Sequence, residues 1–356
     1  MRVVVIGVLM FVWVILAPLH SIAKITGPCS NCHTMHNSQN GMPVVAGGPL
    51  PGLLNSECNG CHTGINDGNN TTPYVLMTES EPNYGTTGIN GDTLAGGNFY
   101  WVAFENLDRT GHNVAGVALP DAQLANIPPG STNGVSLSEQ LTCAGVNGCH
   151  GDRSVYDPYK AMFGAHHNND RTPWKDGTTP AQSYCFLNGV QGLENPDYEY
   201  HPTAMHHNKY YGKDRTVETD SAEGTISNLC GQCHGDFHSG SGELVARGTS
   251  FGDGVWLRHP TDFDMARAET STEYSGYNGG TGTDNTYSVV SPVATADIGT
   301  NLNITVFSQQ DDAIIMCLSC HRAHGTPFGS ILRWNYKKWP GNDGYNGCAI
   351  CHTTKN

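Results

Sequence analysis

Cys317-Leu318-Ser319-Cys320-His321-Arg322-Ala323-His324 sets two cysteines three positions apart and a histidine directly after the second. The same CxxCH pattern returns at Cys29/Cys32/His33, Cys58/Cys61/His62, Cys230/Cys233/His234 and Cys348/Cys351/His352. Residues at i, i+3 and i+4 of a helical turn share one face, so each copy presents two thiols and an imidazole together. That set is the one that bonds the two vinyl groups of a haem and takes its iron. Zinc knuckles and thioredoxin-like sites also use CxxC, but neither demands a histidine in the next position.

A less regular copy reads Cys143-Ala-Gly-Val-Asn-Gly-Cys149-His150, with five residues between the cysteines. Cys143 cannot share the helical turn of Cys149, but Gly145, Asn147 and Gly148 let the backbone loop out and return the thiol. A Cys143–Cys149 disulfide is the competing reading, and His150 directly after Cys149 favours a haem. Of the 13 cysteines, only Cys185 is then left over, read as a small buried apolar residue. The cofactor expectation is about six covalently bound haems c with proximal ligands His33, His62, His150, His234, His321 and His352.

Seventeen histidines are more than these sites consume. With the proximal six and His20 set aside, the candidates for the opposite face of each iron are His36, His112, His166, His167, His206, His207, His238, His259 and His324, with His201 as a further spare. A second imidazole closes each iron, leaves no position for substrate or O₂, and makes electron transfer the natural task. His36, His238 and His324 follow a proximal histidine by three or four residues, too near to cap the same haem, so each must serve another. The doublets His166/His167 and His206/His207 have similar surroundings; one member of each is expected to bind, and which one stays open.

At the start, Met1-Arg2 precedes an apolar run from Val3 to Ala17 and then Ser21-Ile22-Ala23. This is the pattern of a secretory signal cleaved after Ala23; the run falls short of the roughly 20 residues that span a bilayer. Residues 24–356 are expected to form a single multihaem domain, secreted through an oxidising compartment. A formal charge of −14 makes nucleic acid an unsuitable partner.

The fold expectation is mostly irregular coil with short helices wrapped around stacked haems, and few or no strands. Asn66 to Thr72, Thr86 to Gly97 and Tyr274 to Thr286 are rich in turn residues and read as haem-wrapping loops. A somewhat longer helix is expected around Asp311 to Arg322. So little regular structure cannot offset its ordering entropy unless large apolar macrocycles supply the core.

Cys32-His-Thr-Met-His-Asn-Ser38, Gly96-Gly-Asn-Phe-Tyr-Trp-Val102, Gly111-His-Asn-Val, Asp236-Phe-His238, Leu257-Arg-His-Pro260 and Cys317–His324 together resemble a known family. It is that of the extracellular multihaem c-type cytochrome nanowires, the OmcS-type hexahaem filament cytochromes, and the likeness runs along nearly the whole mature chain. The resemblance implies a cell-surface, head-to-tail homopolymer passing electrons from redox partner cytochromes to acceptors such as metal oxides or other cells. It also implies that His36 ligates a haem of the neighbouring protomer. The stretched Cys143/Cys149 spacing and Gly151-Asp152 after His150 depart from the pattern. The alternatives are a monomeric periplasmic or outer-surface shuttle and, third, a multihaem reductase, for which no CxxCK ligand set occurs.

Intact mass of the exported protein is expected to show a chain starting at Lys24 with six added haems. The same chain made without haem attachment is expected to give the circular dichroism of an unfolded polypeptide.

Overall fold

The computed structural model describes residues 27–124, 126–131, 136–168, 172–215, 221–239, 244–246, 255–257, 259–268, 272–307, 309–338 and 347–354. The proposed signal, 1–23, lies outside them. Among the described residues the longest helix is Ile226–Gly231, and the strands are two or three residues long. The strands meet in antiparallel or parallel pairs, apart from one three-stranded sheet of Trp174–Lys175, Gly192–Leu193 and Lys209–Tyr210. Most of the chain is coil and turn.

The polar residues explain why. Asp152, Asp176 and Asp297 each accept the backbone N–H two positions on, closing turns that compete with helix and strand. Tyr274 to Thr286 is folded in this way: the Asn285 side chain accepts the N–H groups of Thr281 and Gly282 while Asn285–Thr286 pairs with Thr305–Val306.

The longer helix expected from Asp311 to Arg322 is corrected to a short 3-10 turn, Cys317–Ser319. Asp311 takes a left-handed φ of 60°. Ile314–Ile315, β-branched and buried, instead pairs with Phe263–Asp264. The Asp312 carboxylate accepts from Phe307 and Gln309 and holds the preceding loop.

Apolar packing is divided among three small clusters. One centres on Tyr184, Tyr210, Ile226 and Ile314, a second on Met265, Tyr277, Tyr287 and Val306, and a third on Leu76, Phe99, Val102 and Val114. Between them runs a backbone knot. Gly97 and Gly111 both bridge to Gly325, Asn98 N–H donates to Gly325 O, and Thr326 N–H donates to Thr110 O. Gly97 has φ +83°, and a Cβ there would stand 2.0 Å from Gly325 O, so no other residue permits this approach.

Arg322 locks the knot. Its guanidinium is buried and donates from Nη1 to Leu94 O (2.6 Å) and Ala95 O (3.1 Å), and from Nη2 to Thr87 O (3.2 Å). Arg322→Met strands these buried carbonyls and is expected to destabilise the haem-loaded protein by about 3 kcal/mol, measured as a lowered denaturation midpoint at unchanged haem content.

Candidate haem sites

All five CxxCH copies fold as the single turn their spacing requires. His33, His62, His234, His321 and His352 each donate the backbone N–H to the carbonyl of the first cysteine of their own motif, at 2.9–3.1 Å. The irregular copy folds differently: Thr142–Ala144 and Gly148–His150 lie parallel, joined by a tight loop with Gly145 at φ +83°. Cys143 and Cys149 remain free thiols, so no disulfide joins them.

The histidine rings are anchored through Nδ1. His33 Nδ1 meets Gly52 O (2.7 Å), His62 Pro73 O (2.8 Å), His150 Cys185 O (2.9 Å), His234 Pro129 O (2.7 Å) and His321 Ser330 O (2.8 Å). His112 and His259 do likewise with Ala323 O (2.6 Å) and Pro260 O (3.0 Å). A carbonyl accepts only from a protonated Nδ1, so each such imidazole keeps Nε2 as its lone-pair nitrogen, ready for a metal. Burial pushes His112, His150, His259 and His321 below the usual imidazole range, and takes His234 to about 4 and His324 to about 3. The neutral, metal-binding form is thereby favoured.

Five of the six proximal imidazoles face a second one. The centroid separations are 5.9 Å for His33–His167, 6.3 Å for His62–His166, 6.3 Å for His150–His324, 6.2 Å for His234–His112 and 6.1 Å for His352–His259. An imidazole nitrogen sits about 2 Å from its metal, so two rings opposed across one ion have centroids roughly 6 Å apart. Among the described residues no three His, Cys, Asp or Glu side chains gather around a point, as a bare ion would need. Imidazoles that meet in twos suit an iron whose remaining ligands come from a porphyrin.

His321 has no opposed ring among the described residues. Conversely, His36 is exposed, and its Nδ1 lies 3.0 Å from Ser38 Oγ.

In the first doublet both members face a proximal ring, not one as expected, because the turn spreads His166 and His167 toward two different motifs. In the second, neither does. His206 Nε2 binds Asp197 Oδ2 (2.8 Å), and buried His207 stacks on Tyr287 with centroids 3.9 Å apart, its Nδ1 within hydrogen-bond reach of Asn208 O. Similar flanking letters concealed different partners. His238 is bonded through Nε2 to Asp262 (2.7 Å), and His201 stacks on Tyr200.

The attachment cysteines adjoin one another in chain order. Cys61 is raised by burial and then by its neighbour Cys32, and the Cys58 and Cys143 thiols share a hydrogen bond that lowers the first and raises the second. Burial pushes Cys149 up to about 11, with Cys233 adding to it, and a Cys230–Cys317 thiol hydrogen bond raises Cys230 and lowers Cys317. Burial raises Cys320, with Cys351 and Cys348 next in effect.

Cys185 serves through its backbone. It and Phe186 hold left-handed φ values of 48° and 59°. The Cys185 carbonyl orients His150, Gly151 N–H donates to Phe186 O, and the Phe186 ring packs on His166. Glu194 Oε1 accepts the Cys185 N–H (2.6 Å) and fixes this turn. Neither Glu194 nor the carbonyl acceptors carry a sequence signal, since any residue supplies a carbonyl.

Residues 309–356 match the family model described as a doubled CXXCH motif. The chain is similar to the C-type cytochrome OmcS of Geobacter sulfurreducens, with 26% identity over 361 residues, covering 86% of this chain and 78% of that protein. Two solved structures from the same organism, an outer membrane cytochrome S filament and the OmcS nanowires, align with TM-score 0.44 at 20% and 22% identity. Each alignment covers 88% of this chain and 85% of the other. Covalently attached haem c is therefore the cofactor class of these motifs.

Proposed function

We propose that this chain is an extracellular electron-transfer cytochrome that carries six haems c and polymerises head to tail. The mature protein comprises residues 24–356 after export. The observation that carries the reading is the imidazole balance: five opposed pairs, His321 without an opposed ring among the described residues, and His36 exposed beside the first attachment turn.

Haem c supplies an iron that gains and loses one electron. The residues of the chain do the rest. His33/His167, His62/His166, His150/His324, His234/His112 and His352/His259 would each hold one iron between two imidazoles and so keep water and substrates off it. In His33, His62, His112, His150, His234 and His259, Nδ1 bonds to carbonyls fix ring orientation and raise ligand basicity. The contiguous cysteines Cys32–Cys61, Cys58–Cys143, Cys149–Cys233, Cys230–Cys317 and Cys320–Cys351 support a single file of haems in chain order.

His36 completes His321 of the next copy. A contact between two different surfaces of the same chain repeats without closing and generates a filament. The similarity to OmcS accords with this, and with acceptors outside the cell such as metal oxides, other cells or partner cytochromes.

His36→Ala is expected to retain all six haems, form no filaments in electron micrographs, and leave one iron five-coordinate and high-spin. Filaments of this variant with every iron low-spin sink the proposal. Separately, His166→Ala and His167→Ala are each expected to convert one haem to high-spin in electron paramagnetic resonance, whereas His206→Ala leaves the haem signals unchanged.

A further inference from the structure

Three of the carbonyls that hold a proximal ring come from the same backbone shape. Gly52 and Leu53 have φ of 70° and 55°, Cys185 and Phe186 of 48° and 59°, and Ser330 and Ile331 of 59° and 50°. Each pair is two successive left-handed residues, and a leucine follows each: Leu54, Leu187 and Leu332. Bulky or β-branched side chains such as Leu53, Phe186 and Ile331 avoid this region of backbone space, so its return at three places requires contacts that hold it there.

Those contacts are the same each time. The carbonyl of the first left-handed residue takes Nδ1 of the proximal ring: Gly52 O from His33 (2.7 Å), Cys185 O from His150 (2.9 Å) and Ser330 O from His321 (2.8 Å). The carbonyl of the second accepts the backbone N–H of the residue directly after that histidine: Leu53 O from Thr34 (2.8 Å), Phe186 O from Gly151 (2.8 Å) and Ile331 O from Arg322 (3.0 Å). At the first and fifth sites the residue after the leucine adds a third bond, as Asn55 and Arg333 donate their N–H groups to the carbonyls of Cys32 and Cys320. The turn therefore grips both the imidazole and the peptide that carries it. It does so from 19, 35 and 9 residues beyond the histidine, and although the third motif is a parallel strand pair in place of a helical turn. The second and fourth sites are built otherwise: His62 and His234 meet Pro73 O and Pro129 O, and proline, held at a φ of about −65°, cannot enter a left-handed turn.

We propose that these three turns are one recurring imidazole cradle, in which Gly52, Cys185 and Ser330 are positioning residues that fix the proximal ligand of the first, third and fifth sites from outside the attachment motif. The inference rests on the haem reading above. A ring held at Nδ1 alone can rock about that bond, and fixing the following peptide removes this freedom. At the fifth site the cradle holds His321 by the same two bonds as His33 and His150, although no ring opposes it among the described residues. The proximal half of that site is thus set by this chain alone, whatever supplies the second ligand.

The cradle demands a positive φ at its first position, and not a particular side chain. Electron paramagnetic resonance of the full-length, haem-loaded protein tests this. Cys185→Val and Ser330→Val, whose β-branched side chains disfavour that φ, are each expected to shift the g values of one low-spin haem. The conservative variants Cys185→Gly and Ser330→Gly, which match the residue found at the first site, keep the wild-type signals. Asp284→Val, at an exposed left-handed position (φ 49°) in the Tyr274 to Thr286 loop, is expected to lower the denaturation midpoint without moving a haem signal. Wild-type spectra in both cradle Val variants at unchanged haem count by intact mass, or equal shifts in the Val and Gly variants, overturn this proposal alone. Should neither Val variant accumulate, amide hydrogen exchange of the wild type decides: slow exchange is expected at Thr34, Gly151 and Arg322, and exchange at the rate of open coil overturns the cradle. A wild-type chain without added haem overturns the underlying reading instead.

Discussion

A hydrogen bond from imidazole Nδ1 to a backbone carbonyl is the constraint on which the remaining structure depends. Each is worth only about 1 kcal/mol, too little to fold a chain of this length. Its effect is orientation: it selects the tautomer, aims Nε2, and ties the rings of His33, His62, His112, His150, His234 and His321 to loops elsewhere in the chain. His112, for example, is anchored on Ala323 and His234 on Pro129. The coil is therefore ordered by what it must present, one carbonyl at a defined point, and the short strands and turns serve to hold those carbonyls still.

The same economy makes neighbouring sites interdependent. The segment that carries His321 also carries His324, which faces His150, and Ala323, which orients His112. Three sites thus meet on four residues, and the knot around Gly97, Gly111 and Gly325 fixes their spacing. A displacement there shifts the rings of His321, His324 and His112 together.

Attachment turns were legible in the sequence because CxxCH is local: thiols and imidazole must share one turn, and all five copies obey. The local structure of the third site was not legible, since nothing in Cys143–His150 announces a parallel pair. Distal partners were harder. His112, His259 and His324 meet another imidazole, whereas His206, His207 and His238 looked equally suitable in the sequence and meet Asp197, Tyr287 and Asp262. Pairing is decided by contacts distant in sequence, and a single chain offers no local signal for them. The helix expected near Asp311 failed for a similar reason, because Ile314 and Ile315 found strand partners at Phe263 and Asp264.

An unopposed His321 and an exposed His36 on one chain admit two ways of pairing. A two-fold dimer satisfies both by reciprocal exchange; a head-to-tail contact satisfies one per interface and continues. Reciprocal exchange requires the two residues to lie on one face. His36 follows the first attachment turn by three positions, whereas His321 belongs to the fifth, and the cysteines of the second, third and fourth sites come between them in unbroken order. Under the proposed reading, haems filed along these sites would separate the two ends, and the exposed ring and the incomplete site would meet different copies. In that reading, the contact that would complete the fifth site would also extend the file of haems from copy to copy.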